Sequence, residues 1–264
     1  MARNPRRSGR RHPIASAALI VLGLVVTGGA YAAVSAATVA SANTSATSAQ
    51  TVEEGKNLFQ ANCATCHGMG AQGTTAGPSL VGVGAAAVDF QDGTGRMPMQ
   101  ASGPQAEVKP VQFTDEQIQA LAAYVASLAP GPDVPSASLT SGGGDAANGA
   151  ELFRINCAMC HNVAGAGGAL TEGKYAPALT AVSGQHIYEA MVTGPQNMPV
   201  FNDMNISPQD KRDIITYLLY VQDNRSPGGF ELGALGPVAE GLFAWVFGLG
   251  SLVLITIWIT AKSN

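Results

Sequence analysis

Apolar and polar positions change rhythm several times along the chain. Ile14 to Val39 is a charge-free run rich in Ala, Val, Leu and Gly. A run of that length is either the apolar part of an export signal or an uncleaved anchor. Residues 40–50 (ASANTSATSAQ) carry little to bury and are expected to form a linker. A helical rhythm follows. Thr114-Asp115-Glu116-Gln117 has the pattern of a capping box, and Ile118, Leu121, Val125 and Leu128 then recur on one helix face. Ser207-Pro208 places an N-cap before a proline at the first helical position, ahead of Ile214, Tyr217, Leu218 and Val221. Between these helices, Pro130 to Gly144 (PGPDVPSASLTSGGG) breaks the pattern. Leu242 to Ala261 is a second charge-free stretch, twenty residues long, which is the length of one membrane crossing. Trp245 and Trp258 sit near its ends and Lys262 follows it, as interfacial anchors do.

The middle of the chain is one design written twice. Glu54-Gly55-Lys56-Asn57-Leu58-Phe59-Gln60-Ala61-Asn62-Cys63 matches Asn148-Gly149-Ala150-Glu151-Leu152-Phe153-Arg154-Ile155-Asn156-Cys157. Each copy is expected to be a helix burying Leu58/Phe59 or Leu152/Phe153. Gly77-Pro78-Ser79-Leu80 matches Ala176-Pro177-Ala178-Leu179, and Arg96-Met97-Pro98 matches Asn197-Met198-Pro199. The expected organisation is an Arg-rich start with its signal or anchor (1–39), a linker (40–50), two small helical domains (51–130 and 145–228) separated by a second linker (131–144), a pre-membrane segment (229–241) and a membrane helix (242–261).

Composition sharpens this picture. Aromatic residues are only 6% of the chain while glycines number 32, so its own side chains would build thin cores. A planar apolar cofactor in each domain would supply the missing interior. The cysteines say which. All four fall in two identical arrangements, Cys63, Cys66 and His67, then Cys157, Cys160 and His161. C-x-x-C-H attaches c-type haem: two thiols add to the two vinyl groups of one porphyrin, and the adjacent histidine becomes an iron ligand. A bare C-x-x-C would serve a redox dithiol, zinc or a disulfide as well. Zinc is the surviving alternative, and its dispersed ligand patterns fit worse.

An electron carrier of this kind usually takes Met as the sixth ligand, because a soft thioether favours Fe(II) and raises the potential. Met97 and Met198 stand at equivalent places, each before a proline that stiffens the loop. Met99 and Met204 are their rivals, and His186 is a third candidate, otherwise expected in a loop. Met69, Met159 and Met191 are expected as packing residues. With both axial positions filled, neither iron would bind a substrate, so the chain itself would move single electrons and hold no catalytic residue.

Charge is uneven. Arg3, Arg6, Arg7, Arg10 and Arg11 open the chain without an acid, whereas Glu53 to Glu240 contains all eighteen acids against eight bases. The acidic body argues against nucleic acid. The positive flanks of both apolar runs belong on the cytoplasmic side, which places the domains between them outside, at the cell membrane.

The ordered set of motifs resembles the dihaem cytochrome c subunit of the actinobacterial cytochrome bcc complex, a menaquinol–cytochrome c reductase of the bc1 class. The likeness is close at Gly77-Pro78-Ser79-Leu80-Val81-Gly82-Val83-Gly84, Gly95-Arg96-Met97-Pro98, Gly173-Lys174-Tyr175-Ala176-Pro177 and Thr193-Gly194-Pro195-Gln196-Asn197-Met198-Pro199, and along Pro227-Gly228-Gly229-Phe230 through Gly236-Pro237. The resemblance implies an all-α fold of two tandem class I cytochrome c domains, with an N-terminal signal or anchor helix and a C-terminal membrane helix. It implies two covalently bound haem c groups, one on Cys63, Cys66, His67 and Met97, the other on Cys157, Cys160, His161 and Met198. It also implies partners: a cytochrome b subunit that oxidises menaquinol, a Rieske iron–sulfur protein that donates electrons, and an aa3-type oxidase that accepts them. In that setting the chain is an enzyme only as part of the reductase. A tethered dihaem carrier for a dehydrogenase, a cbb3-type oxidase subunit and a dihaem peroxidase are the rival readings. The span after the haem domains and the paired Met-Pro motifs speak against them.

Overall fold

A computed structural model describes residues 13–101, 103–224, 232 and 237–262. The five opening arginines, the Pro227 to Phe230 stretch, Gly236 and most of the expected 229–241 segment lie outside the described residues. The chain divides into two compact units, Met1–Thr51 and Val52–Asn264. In the first, α1 (Pro13–Asn62) begins, and its apolar stretch Ala17–Gly29 is exposed throughout. Residues 40–50, the expected linker, are helical.

The second unit holds both repeats. In the first repeat, the end of α1 leads into α2 (Ala64–His67), α3 (Ala85–Gly93) and α4 (Asp115–Leu128). The capping box of α4 forms as its sequence requires: Gln117 N donates to Thr114 Oγ1 at 3.3 Å and Thr114 N to Gln117 Oε1 at 3.0 Å. Phe59, Leu121, Tyr124 and Val125 form the core, with Leu58, Leu80 and Leu128 packed against it. The expected linker 131–144 carries one helical turn, α5 (Ala137–Thr140).

The second repeat runs α6 (Ala146–Asn156), α7 (Ala158–His161), β1 (Gly168–Ala169), β2 (Tyr175–Ala176), α8 (Gly184–Thr193) and α9 (Pro208–Asp223). The two strands pair antiparallel, Gly168 opposite Ala176 and Ala169 opposite Tyr175. They are the only strands among the described residues, so the architecture is all-α apart from this short hairpin. Ser207 caps α9 with Pro208 behind it, and Asp210 closes a capping box. Phe153, Ile214, Ile215 and Leu218 lie at the core.

Both repeats cross their first and last helices at a glycine. A Cβ on Gly55 would stand 1.9 Å from the Ala120 carbonyl oxygen, and one on Gly149 would stand 1.9 Å from that of Asp213. The same crossing brings Phe59 to Tyr124, ring centres 5.3 Å apart, and Phe153 to Tyr217 at 5.6 Å. The repeats also touch each other. Gln185 Nε2 on α8 donates to Asp89 Oδ2 on α3 at 2.7 Å, and His186 sets its ring edge-on to Phe90. Gln105 and the Tyr175 backbone exchange two hydrogen bonds of 2.8 Å.

At the C-terminal end, α10 (Pro237–Phe243), a π-helical stretch (Ala244–Leu249) and α11 (Gly250–Lys262) form a continuous apolar helix. Val238–Lys262 is long enough to cross a membrane, and none of it is buried in the protein. That excludes a core helix, and the segment fits a membrane anchor. Lys262 Nζ lies 4.8 Å over the Trp258 ring.

Candidate haem sites

Each C-x-x-C-H motif is one turn of helix. Cys63 N donates to Phe59 O at 2.8 Å and His67 N to Cys63 O at 3.0 Å; the counterparts at Cys157 and His161 are both 2.9 Å. One turn sets thiols three residues apart on the same face. The histidines are then anchored alike. His67 Nδ1 lies 2.8 Å from Pro78 O, and His161 Nδ1 lies 2.9 Å from Pro177 O. A carbonyl only accepts, so Nδ1 carries the proton and donates, leaving the Nε2 lone pair for a metal. Reading the sequence picked out Gly77-Pro78 and Ala176-Pro177 as matched segments but missed this role. The hairpin β1–β2 explains why: the accepting carbonyl lies eleven residues after His67 but sixteen after His161.

A cavity of about 590 Å³ brings together Cys157, Cys160, His161 and Met198. Phe153, Ile187, Met191 and Leu218 supply apolar wall. The volume suits a small-molecule cofactor. The donor set suits haem c in particular: two thiols one turn apart, an imidazole with its outer nitrogen available, and a thioether. Burial pushes the Cys157 thiol up to about 11, with the charge of Cys160 adding to it. Burial likewise pushes Cys63 up to about 12, helped by Asp92 and then Cys66. Burial also lowers the pKa of His161, against the opposing hydrogen bond to Pro177. That keeps the ring neutral, as a metal ligand must be.

The first set is held in separate pieces. Cys63 packs against its core, Cys66 is exposed and His67 is fixed by Pro78. Met97 is half-buried after α3, its amide donating to Gln91 O at 3.0 Å. The Met97–Pro98 peptide is cis, the only one among the described residues. The rivals stand in different surroundings. Met204 is 96% exposed and Met99 is also exposed. His186 is not in a loop: Ser183 caps α8 and accepts the His186 amide, so the ring sits in the first helical turn and lines the second cavity. Met191 packs in the core as expected. Met69 and Met159 do not, being surface residues beside their motifs, with Met159 91% exposed. Sequence reasoning also missed Arg96, which the fold largely buries in the lining of the cavity that holds Cys157, Cys160, His161 and Met198. Its only sequence signal was its place beside Met97.

Fold and site together define a tandem c-type cytochrome that carries covalently bound haem c. The family model for cytochrome c matches residues 52–129, and that for cytochrome c oxidase, cbb3-type, subunit III matches residues 144–218. Whole-chain relatives go further. A protein of Corynebacterium efficiens is 46% identical over 228 residues, covering 80% of this chain and 77% of the relative. One of Mycobacterium bovis is 42% identical over 268 residues, covering 99% and 95%, and one of Mycobacterium leprae is 43% identical over 252 residues, covering 93% and 87%. Each is named cytochrome bc1 complex cytochrome c subunit. The chain belongs to this family of bc1 complex cytochrome c subunits.

Proposed function

We propose that this chain is a dihaem electron relay in a menaquinol-oxidising bc1-type complex. It takes single electrons from a Rieske iron–sulfur protein and passes them to an aa3-type oxidase, beside a cytochrome b subunit. The two domains, over 51–130 and 145–228, each hold one haem. Cys63 and Cys66 tether the first, with His67 and Met97 on its iron; Cys157 and Cys160 tether the second, with His161 and Met198. The observation that carries this reading is the duplicated set itself, a one-turn C-x-x-C-H whose histidine donates to a proline carbonyl in both repeats.

The chemistry that haem supplies is one-electron cycling of iron between ferric and ferrous states. The protein's residues do the rest. The cysteines keep the group from dissociating, and Pro78 and Pro177 hold the histidines in the binding tautomer. Met97 and Met198 would supply thioether ligands to the two irons, which would favour the reduced state. The apolar wall of the second cavity excludes water, which would otherwise stabilise the more highly charged ferric state. The C-terminal helix holds the relay beside membrane partners, with the haem domains outside the cytoplasm.

Pyridine haemochrome analysis should give two c-type haems per chain, and replacing Cys63 and Cys66 together should leave one. A count of zero in the wild type would refute the assignment. Purification of the tagged chain from membranes, with mass spectrometry of what accompanies it, tests the partners: cytochrome b, Rieske and aa3 subunits are expected. The match of residues 144–218 to the cbb3-type subunit favours a second reading, a membrane-tethered carrier for another oxidase. Recovery of cbb3 subunits in place of Rieske and cytochrome b would select it.

A further inference from the structure

Arg96 is a largely buried cation whose guanidinium has no acceptor among the described residues. It is 9% exposed, and none of the side-chain hydrogen bonds or ion pairs among the described residues includes it. Its Cζ stands 4.9 Å over the Phe90 ring, which offers a π-face but accepts none of the five guanidinium N–H groups in a conventional hydrogen bond. A charge that loses most of its water is costly unless an opposite charge or a set of hydrogen bonds meets it.

The fold fixes where this cation sits. Gln91 O accepts from both Arg96 N at 2.9 Å and Met97 N at 3.0 Å. Gly95 holds φ +70°, and a Cβ there would lie 1.8 Å from the Lys109 carbonyl oxygen. Only glycine allows that approach, so the segment is clamped on both sides. Arg96 belongs to the first repeat but lines the cavity that contains Cys157, Cys160, His161 and Met198. No Asp or Glu lines that cavity, and Arg96 is its only Arg or Lys. The other titratable groups there are His186 on α8 and Tyr175 on β2, besides the motif residues. Neither histidine nor tyrosine neutralises a guanidinium at neutral pH.

We propose that Arg96 binds a carboxylate of the second haem, a propionate, and is a positioning residue contributed by one repeat to the cofactor of the other. The proposal rests on the reading that Cys157, Cys160, His161 and Met198 hold that haem. Haem is an apolar disc with two carboxylates on one rim, and this cavity is mostly apolar with one guanidinium in its lining. The planar fork of arginine matches a carboxylate through two parallel hydrogen bonds. A cation there offsets the carboxylate charge and so destabilises the ferric state, which raises the potential. It also ties the two repeats together through the cofactor, on the side where Gln185 meets Asp89 and Gln105 meets Tyr175.

The test uses Arg96→Gln and Arg96→Lys in the intact complex, with haem count and potentiometric titration as readouts. Met198→His, titrated in parallel, identifies which potential belongs to the second haem. Arg96→Gln should keep both haems attached and lower the second potential more than the first. Arg96→Lys should lower it less, because it keeps the charge but loses the fork. No fall in Arg96→Gln, or a fall at the first haem equal to or greater than that at the second, overturns the proposal. If instead Met198→His moves no potential, or replacing Cys157 and Cys160 leaves the haem count at two, the underlying haem assignment fails. The two failures are therefore separable.

Discussion

A histidine that donates from Nδ1 to a backbone carbonyl has a single role left for its other nitrogen. His67 and His161 are both in that state, through Pro78 O and Pro177 O. The sixth ligand is where a single residue sets the potential. Met198 packs against the second core and lines the cavity of His161. In Met198→His the haem should stay attached and six-coordinate, since the cysteines are untouched. Its potential should fall, because imidazole stabilises Fe(III) more than thioether does. Redox titration should show one haem moving down while the other holds, and quinol-to-oxygen electron flow should slow. Unchanged potentials would remove Met198 from the ligand set. His186 would then be the first replacement to test, since it faces the same cavity while Met204 faces solvent.

At the scale of helices, two contacts carry most of the shape. The α6–α9 crossing depends on Gly149, whose missing Cβ lets the Asp213 carbonyl approach. Backbone on both sides leaves little room for adjustment, so Gly149→Ala should lower stability by at least about 2 kcal/mol. Chemical denaturation of the haem-loaded protein measures it. The other contact joins α3 to α8. Glu189 is fully buried, its Oε1 accepting from Gln185 Nε2 at 3.2 Å while no donor meets its Oε2. Burial, then the hydrogen bond and charge of Asp89, push this carboxyl up to about 9, with Gln185 pulling the other way. The ordinary value is 4.5, so between the two values the folded chain keeps a proton that the unfolded chain has released. Stability from this group is complete below the ordinary value and is lost as pH rises towards about 9. Asp89 on α3 and His186 on α8 are the titratable groups facing it. Glu189→Gln, which holds its amide protons at every pH, should flatten the alkaline fall in melting temperature. An unchanged pH profile would show that this carboxyl ionises as it does in water.

For the whole molecule, the apolar helix over Val238–Lys262 fits a membrane anchor. Lys262 beside Trp258 at its end matches an interfacial anchor. With positive residues beside both apolar runs, the C-terminal tail should be cytoplasmic and the haem domains outside. A reporter fused after Asn264 should be active only if it is one that works in the cytoplasm. Activity of an export-dependent reporter there would invert the topology.

Short-range chemistry was legible in the residues alone. The two C-x-x-C-H turns, the cap at Thr114, the Ser207-Pro208 start, the terminal span and the repeated Met-Pro segments each depend on neighbours a few positions away. Helix periodicity and covalent spacing act over that distance. What the residues left open was decided by contacts between distant segments. The carbonyl that orients each histidine comes from a loop whose length differs between repeats. His186 became helical through a serine cap and turned into the second cavity. Lys211, fully buried, found Asp203 Oδ1 at 2.6 Å and Ile206 O at 2.8 Å. Arg96 reached from one repeat into the cavity of the other. Only the packed fold sets which of several polar side chains loses its water, because burial is a property of the surrounding segments and not of the residue that is buried.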